Sequence, residues 1–184
     1  MKSTKESKRV CPRLTAMTAI AAMPLLASLC MAHEDLYLNT SSSLPYGIYH
    51  NEDTARAQSL KINDIALVCL NRSHAKIAFE RGYIGFGRCS DGTAPVGKSI
   101  VAIEGDNVRI DADGIHVNNK IVDYSKPADT DSKGRSLEHY SIDRILHGKE
   151  YILANRHKDS YDSRYFGPVS SDMIIGKLNS LVTV

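Results

Sequence analysis

The sequence predicts a mainly β protein behind one N-terminal membrane-spanning segment. Three observations lead to this fold class. Helical periodicity is weak after residue 35, short apolar runs bounded by turn residues dominate the body of the chain, and an uncharged stretch of 19 residues follows a basic N-terminus. With 184 residues, the chain is long enough for one domain of ordinary size and too short for two good cores.

The positive charge is concentrated at the N-terminus. Residues 1–13 carry five basic side chains and one acidic side chain, a net charge of +4, and the remaining 18 basic and 20 acidic side chains give −2. The body of the protein therefore has no charge excess that favours nucleic acid, and we expect no nucleic-acid partner.

Residues 14–32 contain no charged side chain. As a helix they would span roughly 28 Å, just enough for a bilayer core of about 30 Å. The positive-inside rule then places residues 1–13 in the cytoplasm and exports residues 33–184 as one domain. The segment is either a retained anchor or a cleaved signal peptide, because Cys30 and Ala32 put small residues at −3 and −1 of a cleavage site.

The exported body reads as a succession of strands. Asp111 to Gly114 and the Asn118-Asn119 pair have the turn chemistry that short hairpins need, so the middle of the chain predicts a β-meander. Residues 124–138 are polar and contain Pro127 and Gly134, which predicts a surface loop or insertion. The predicted strands cover residues 65–70, 98–103, 108–110, 115–117, 121–122, 151–154 and 173–184.

Cys69 and Cys89 are the only two cysteines of the exported body. An even pair in an oxidising compartment is a candidate disulfide, and the alternative is two separate buried thiols. Two cysteines cannot build a structural zinc site alone, and the seven histidines show no metal-ligand spacing, so we expect neither a metal nor a cofactor.

The first candidate for chemistry is the serine-rich segment 39–49. Ser43, with Pro45 two residues on and Gly47 four residues on, predicts a stiff turn that exposes a hydroxyl. The alternative is a polar linker that leaves the membrane.

The second candidate is Lys98, at the head of a predicted apolar strand. A lysine that points into the core has a lowered pKa, because burial penalises its charged form, and a neutral amine is a usable base near pH 7. The alternative is a strand-end lysine whose ammonium group reaches solvent.

The third candidate is the segment 160–169, where Ser160, Asp162 and Arg164 lie within five positions. These groups could form a buried hydrogen-bond network. The alternative is a turn stabilised by an Asp–Arg pair.

In this order, behind an export segment, the clusters resemble the signal peptidase I superfamily of serine proteases with a Ser/Lys dyad. The conjugative-transfer branch of TraF-type pilin-maturation peptidases is the more similar part of that superfamily. The resemblance covers nearly the whole exported body and rests on four motifs: Asn39-x-Ser41-x-Ser43-x-Pro45-x-Gly47-x-Tyr49, Arg81-Gly82-Tyr83-Ile84-Gly85 before Cys89, Lys98-x-x-Val101-Ala102-x-x-Gly105-Asp106, and Asp162-Ser163-Arg164-Tyr165-Phe166-Gly167-Pro168-Val169.

The chain departs from the superfamily pattern at three points. Pro45 follows Ser43 by two residues rather than three, which suits the pilin branch better than housekeeping signal peptidases. Ser99 stands where arginine is usual, and Glu104 where proline is common. None of these differences removes a predicted catalytic group.

The resemblance implies a single antiparallel, barrel-like catalytic β-domain. It implies Ser43 as nucleophile, Lys98 as general base, and Asp162 as a further member of the catalytic group. Ser41 would help to form the oxyanion hole, and Ser160 and Arg164 would support the site. The Cys69/Cys89 pair also resembles one of this branch. We expect an extended substrate peptide to bind by strand addition beside Ser43 and the Lys98 strand.

The implied substrate is a pilin precursor, processed at the bacterial inner membrane by a catalytic domain in the periplasm, among other conjugative-transfer components. The acyl-enzyme could be resolved by water or by the pilin's own amine, which would give a head-to-tail cyclic product. Two alternatives stay open. One is a general signal peptidase that cleaves exported precursors, and the other is a non-catalytic periplasmic assembly module of a pilus or secretion complex.

Overall fold

The computed structural model describes residues 35–53 and 60–184. The predicted cytoplasmic segment 1–13 and membrane segment 14–32 lie outside these residues. Within the described ranges no helix has the length and apolar character needed to cross a bilayer.

Strands make up most of the described regular structure. They are β1 (Leu36–Asn39), β2 (Gly47–Glu52), β3 (Ile65–Val68), β4 (Val96–Ala102), β5 (Asn107–Asp111), β6 (Gly114–Val117), β7 (Lys120–Ile121), β8 (Ile142–Ile145), β9 (Glu150–Leu153), β10 (Val169–Ser170) and β11 (Ile174–Thr183). Helices α1 (Arg72–Glu80) and α2 (Ser163–Phe166) and one 3-10 turn (Ser171–Met173) complete the described elements.

The larger sheet has seven strands in the order β1-β2-β11-β3-β4-β9-β10. The strands from β2 to β10 in this order pair antiparallel, and the sheet curls into a half-barrel. The predicted mainly β, antiparallel, barrel-like class is thereby confirmed for the described residues. Strand β11 lies between β2 and β3, so segments far apart in the chain are neighbours in the sheet.

Strand β4 carries the candidate lysine on its core-facing side. Successive side chains of a strand point to opposite faces, and Val96, Lys98, Ile100 and Ala102 are all buried. Val96 and Ile100 belong to the main core, together with residues of β3, β9 and α1. The lysine is therefore held in an apolar layer by the alternation of its own strand.

The smaller sheet has the order β7-β6-β5-β8 and forms the predicted meander. Val108, Ile110 and Ile115 pack in a second core with Leu146 and Ile152. The residues predicted to reverse the chain lie at hairpins between neighbouring strands of this sheet. Local turn chemistry therefore sets the register of the sheet.

Helix α1 corrects the expectation of a body without helical segments. Asn71 caps it, since its side chain accepts a hydrogen bond from the backbone N–H of His74 at 3.0 Å. The fully buried residues of the helix are Ala75 and Ala78, whose small side chains produce a weak apolar stripe. That weakness explains why the periodicity was not visible in the sequence.

The structure joins Cys69 and Cys89 in a disulfide, as one of the two alternatives predicted. The bond ties the end of β3 to the segment that leads toward β4.

The loop 124–138 has no helix or strand, as expected, but it is attached to the body of the domain. The Tyr83 hydroxyl donates to Asp131 Oδ2 at 2.6 Å, and Arg135 donates to the backbone oxygen of Arg81 at 2.9 Å.

Candidate active site

Asn39, at the end of β1, shapes the serine-rich loop. Its Nδ2 donates to the backbone oxygens of Ser41, Leu44 and Pro45 at 2.9 to 3.0 Å. Its Oδ1 accepts from the backbone N–H of Ser41 at 3.2 Å and from the Ser41 hydroxyl at 2.8 Å. One buried amide therefore closes the loop that carries Ser43. The loop is a hydrogen-bonded turn and not a polar linker.

The structure brings Ser43 and Lys98 together although 55 residues separate them. Lys98 Nζ lies 3.4 Å from Ser43 Oγ and 2.9 Å from Ser160 Oγ. Ser41 Oγ lies 3.1 Å from Ser43 Oγ on the other side. Four of the predicted site residues thus form one chain of polar atoms.

Lys98 is only 5% exposed, so its ammonium group does not reach solvent and the alternative interpretation of this residue is wrong. Burial lowers the pKa of Lys98 from 10.5 to about 8. The negative charge of Asp162 raises this pKa and the positive charge of Arg164 lowers it, so the two charges oppose each other. With a pKa of about 8, about a tenth of the molecules hold a neutral amine at pH 7.

Asp162 and Arg164 are fully buried and form a two-point ion pair. Arg164 Nε donates to Asp162 Oδ1 at 2.7 Å and Nη2 donates to Oδ2 at 2.8 Å. The backbone N–H of Asn155 also donates to Asp162 Oδ2, at 3.4 Å. Because these contacts occupy the carboxylate, the geometry suits Asp162 to a positioning role and not to a direct part in the reaction.

The Arg164 guanidinium extends the network to the backbone around the site. It donates to the carbonyl oxygen of Ser160 at 2.8 Å and so holds the residue whose hydroxyl contacts Lys98. Segment 160–169 therefore contains both predicted features, a turn with an Asp–Arg pair and a buried hydrogen-bond network. The further carbonyl acceptors are those of Tyr124, Lys126, His157 and Lys158.

Asn155 is a site residue that the sequence did not indicate. Its Oδ1 accepts from the backbone N–H of Ser99 at 2.9 Å, and its Nδ2 donates to the carbonyl oxygen of Gly97 at 3.2 Å. The amide therefore holds the backbone on both sides of Lys98. A single asparagine after a strand has no signature that predicts such a contact.

A groove of about 390 Å³ opens beside Ser43 and Lys98. Strand β1 and residues 94–97, the last two of which begin β4, line it, and its other walls come from residues 83–85, part of the loop 124–138 and part of the segment 157–165. β1 is the edge strand of the large sheet, so among residues 35–53 and 60–184 no strand pairs with its outer side. Such an edge can pair with an extended peptide.

The arrangement suits acyl transfer. A serine hydroxyl needs an adjacent base to act as a nucleophile, and a buried amine with a lowered pKa can be that base. Among residues 35–53 and 60–184 no cluster of three or more histidine, cysteine or acidic side chains could hold a metal ion.

Comparison with known proteins gives a consistent result. The family described as signal peptidase, peptidase S26, matches residues 11–183. A plasmid transfer protein TraF of Escherichia coli is 32% identical over 176 residues, which cover 93% of this chain and 97% of that protein. The conjugal transfer protein TraF of Agrobacterium fabrum is 31% identical over 147 residues, 79% of this chain and 81% of that protein. The chain therefore belongs to the peptidase S26 family of signal peptidases.

Proposed function

We propose that this protein is a serine endopeptidase with a Ser43/Lys98 dyad that matures a conjugative pilin precursor and closes the product head to tail. The observation that carries the proposal is the buried Lys98 amine 3.4 Å from the Ser43 hydroxyl. The relatives described as plasmid and conjugal transfer proteins support the substrate class. The uncharged segment 14–32 and the Cys69–Cys89 disulfide support an inner-membrane protein with its catalytic domain in the periplasm.

In the first step Ser43 Oγ attacks the scissile carbonyl carbon while neutral Lys98 accepts the hydroxyl proton. The Ser43 backbone N–H and the Ser41 hydroxyl stabilise the oxyanion. The Ser41 hydroxyl donates to Asn39 Oδ1 in the substrate-free structure and would turn toward the oxyanion when it forms. Lys98 then returns the proton to the leaving amine, and an ester between Ser43 and the substrate remains.

In the second step a nucleophile attacks this ester. Water gives a linear acid, and the α-amine of the same pilin chain gives a new peptide bond. In either case Lys98 takes the proton of the nucleophile and returns it to Ser43 Oγ. Both products pass through the same acyl-enzyme, so the outcome depends on how the amine is delivered and water excluded.

Intact-mass measurement of the pilin from cells carrying the protein tests the proposal. We expect a trimmed pilin one water lighter than the linear product in the wild type, and unprocessed precursor with Ser43→Ala or Lys98→Met. The matched control is Ser171→Ala, an exposed serine that should leave processing unchanged.

Other outcomes would contradict parts of the proposal. A linear product that still depends on Ser43 would show a hydrolytic peptidase and no cyclase. If the Ser43→Ala variant also stops the processing of many exported proteins other than the pilin, this would indicate a general signal peptidase. Identical pilin masses in wild type and Ser43→Ala would indicate a non-catalytic assembly module.

A further inference from the structure

Ser43 lies between two cavities. Besides the groove beside Lys98, a second cavity of about 750 Å³ also reaches Ser43. Ser99 and Val101 line it, and these residues alternate along β4 with Lys98 and Ile100. Since neighbouring side chains of a strand point to opposite faces, the second cavity opens on the face of β4 opposite to the Lys98 amine.

A peptide that crosses Ser43 must place one part on each side of the scissile bond. The acyl part stays at the site through both steps, so contacts that fix its extended conformation act in each of them. The groove offers them through the edge of β1, which no strand pairs with in the part of the chain that the structure describes, and through the first residues of β4, Val96 and Gly97. The amine part must leave and be replaced by another amine, which suits the wider of the two cavities.

The walls of the second cavity indicate what it binds. Ile62, Ile121 and Val184 are exposed apolar side chains that line it, and Val122 adds a half-buried one. The exposed residues Arg156 and Asp123 also line it. Exposed apolar side chains that converge on a reactive serine fit a peptide with apolar residues next to its cleaved or attacking amine.

We propose that this second cavity binds the peptide segment on the amine side of the bond, first the leaving chain and then the amine nucleophile. The inference rests on the proposed function and deepens it, because it identifies the surface that decides between amine and water. When the cavity is filled by an apolar segment, the amine lies at the ester carbonyl and water is displaced. The amine attack forms a C–N bond, breaks the Ser43 ester C–O bond, and transfers the amine proton through Lys98 to Ser43 Oγ.

The test uses the purified full-length protein in detergent and two kinds of substrate. The first is an acyl peptide thioester with a small leaving group, which needs only the groove. The second is the same thioester with an added short peptide whose N-terminal residues are apolar, and the ratio of aminolysis to hydrolysis products is measured. The variants are Ile121→Asp and, independently, Ile62→Asp, both at exposed side chains.

The matched control is Ile145→Asp. Ile121 is 57% exposed in β7 and Ile145 is 46% exposed in β8, at the opposite edge of the same small sheet and lining neither cavity. We expect the two cavity variants to lower the ratio of aminolysis to hydrolysis by roughly 10-fold or more, as for loss of an apolar contact in a specificity pocket. Thioester turnover without added peptide should stay within about 2-fold of wild type, since the groove is unchanged.

The possible results separate the two proposals. Ser43-dependent thioester turnover with an unchanged product ratio in both variants would overturn the second-cavity proposal and leave the peptidase intact. Thioester turnover that does not depend on Ser43 would overturn the proposed function and this inference with it. An equal fall in the ratio for Ile145→Asp would show a general effect of the added charge and would also overturn the inference.

Discussion

The reactivity of the candidate site depends on one amine. Lys98 has no acidic side chain in hydrogen-bond contact among the described residues, and its amine contacts the hydroxyls of Ser43 and Ser160 there. Asp162 is close enough to influence its charge, but Arg164 binds that carboxylate at two points. The arginine therefore allows the site to use an aspartate for rigidity without restoring the ordinary basicity of the lysine.

The pH dependence of catalysis should follow this amine. Because the neutral form of Lys98 is the proposed base and burial lowers its pKa to about 8, log kcat/KM should rise with pH and level off above about 8. Initial rates on a peptide substrate between pH 6 and 9.5 measure it. A profile that is flat over this range, or that still rises steeply between pH 9 and 9.5, would contradict the assignment of Lys98.

Ser160→Ala removes the shorter hydrogen bond of Lys98 Nζ and leaves the amine without a fixed direction. We expect kcat to fall by about 10- to 100-fold with little change in KM, because the loss concerns alignment of the base and not substrate binding. Steady-state kinetics test this expectation. Ser171→Ala is the control, and a change confined to KM would show that Ser160 acts on the substrate.

At the scale of elements, the site joins two backbone segments, each of which is held in place by an asparagine side chain. Asn39 closes the loop between β1 and β2, and Tyr49 of β2 donates its hydroxyl to the Pro45 carbonyl at 2.8 Å. Asn155, just after β9, holds β4 on both sides of Lys98. The Ser43–Lys98 distance is therefore determined by side-chain to backbone contacts within each element as well as by packing between them.

Asn39→Asp tests this loop closure, because the aspartate side chain has almost the same shape as that of asparagine. A carboxylate keeps the acceptor for Ser41 but turns an oxygen toward the carbonyls of Leu44 and Pro45. We expect the free energy of unfolding to fall by about 2–3 kcal/mol, since buried carbonyls lose their donor, and kcat to fall by about 100-fold. Urea unfolding and kinetics measure the two effects.

Tyr49→Phe is the graded comparison for this loop. It removes one hydrogen bond, so about 1 kcal/mol of stability and a smaller loss of kcat are expected. Equal effects of the two variants, or no effect of Asn39→Asp on kcat, would contradict the idea that the asparagine sets the position of Ser43.

At the scale of the whole molecule, the buried lysine lowers stability. The folded state favours the neutral amine and the unfolded state the charged one, so below pH 8 the protein must either bury a charge or lose a proton. Between pH 8 and 10.5 the unfolded chain binds the proton that the folded protein lacks, and this contribution to the free energy of unfolding increases with pH by about 3 kcal/mol.

Lys98→Met should therefore give an inactive but more stable protein. At pH 7 we expect a gain of about 2 kcal/mol and a Tm higher by roughly 5 °C, because the core position is filled by an apolar side chain of similar length. Thermal unfolding at pH 7 and pH 10 measures the gain, which should shrink at the higher pH. Ser43→Ala is the control, and a Lys98→Met protein that is less stable at pH 7 would contradict the burial argument.

Much of the sheet structure was predictable because its signals are local. Alternating apolar residues and turn pairs such as Asn118-Asn119 specify the meander without reference to distant residues. The burial of Lys98 was not predictable from its own strand, since a lysine at a strand end suits solvent equally well until the neighbouring strands are known. Asn155 could not be recognised either, because its contacts form only where β9 ends beside β4.

The order of strands in the large sheet affects how the protein folds during its synthesis. β2, which follows the Ser43 loop, is flanked by β1 and β11, and β11 is formed more than 120 residues later in the chain. During synthesis the serine emerges well before β11, which pairs with β2, and such distant pairings form slowly. If Ser43 is the nucleophile as proposed, we expect the site to be completed only late in folding, when β11 pairs with β2, so that a partly synthesised chain is not yet active.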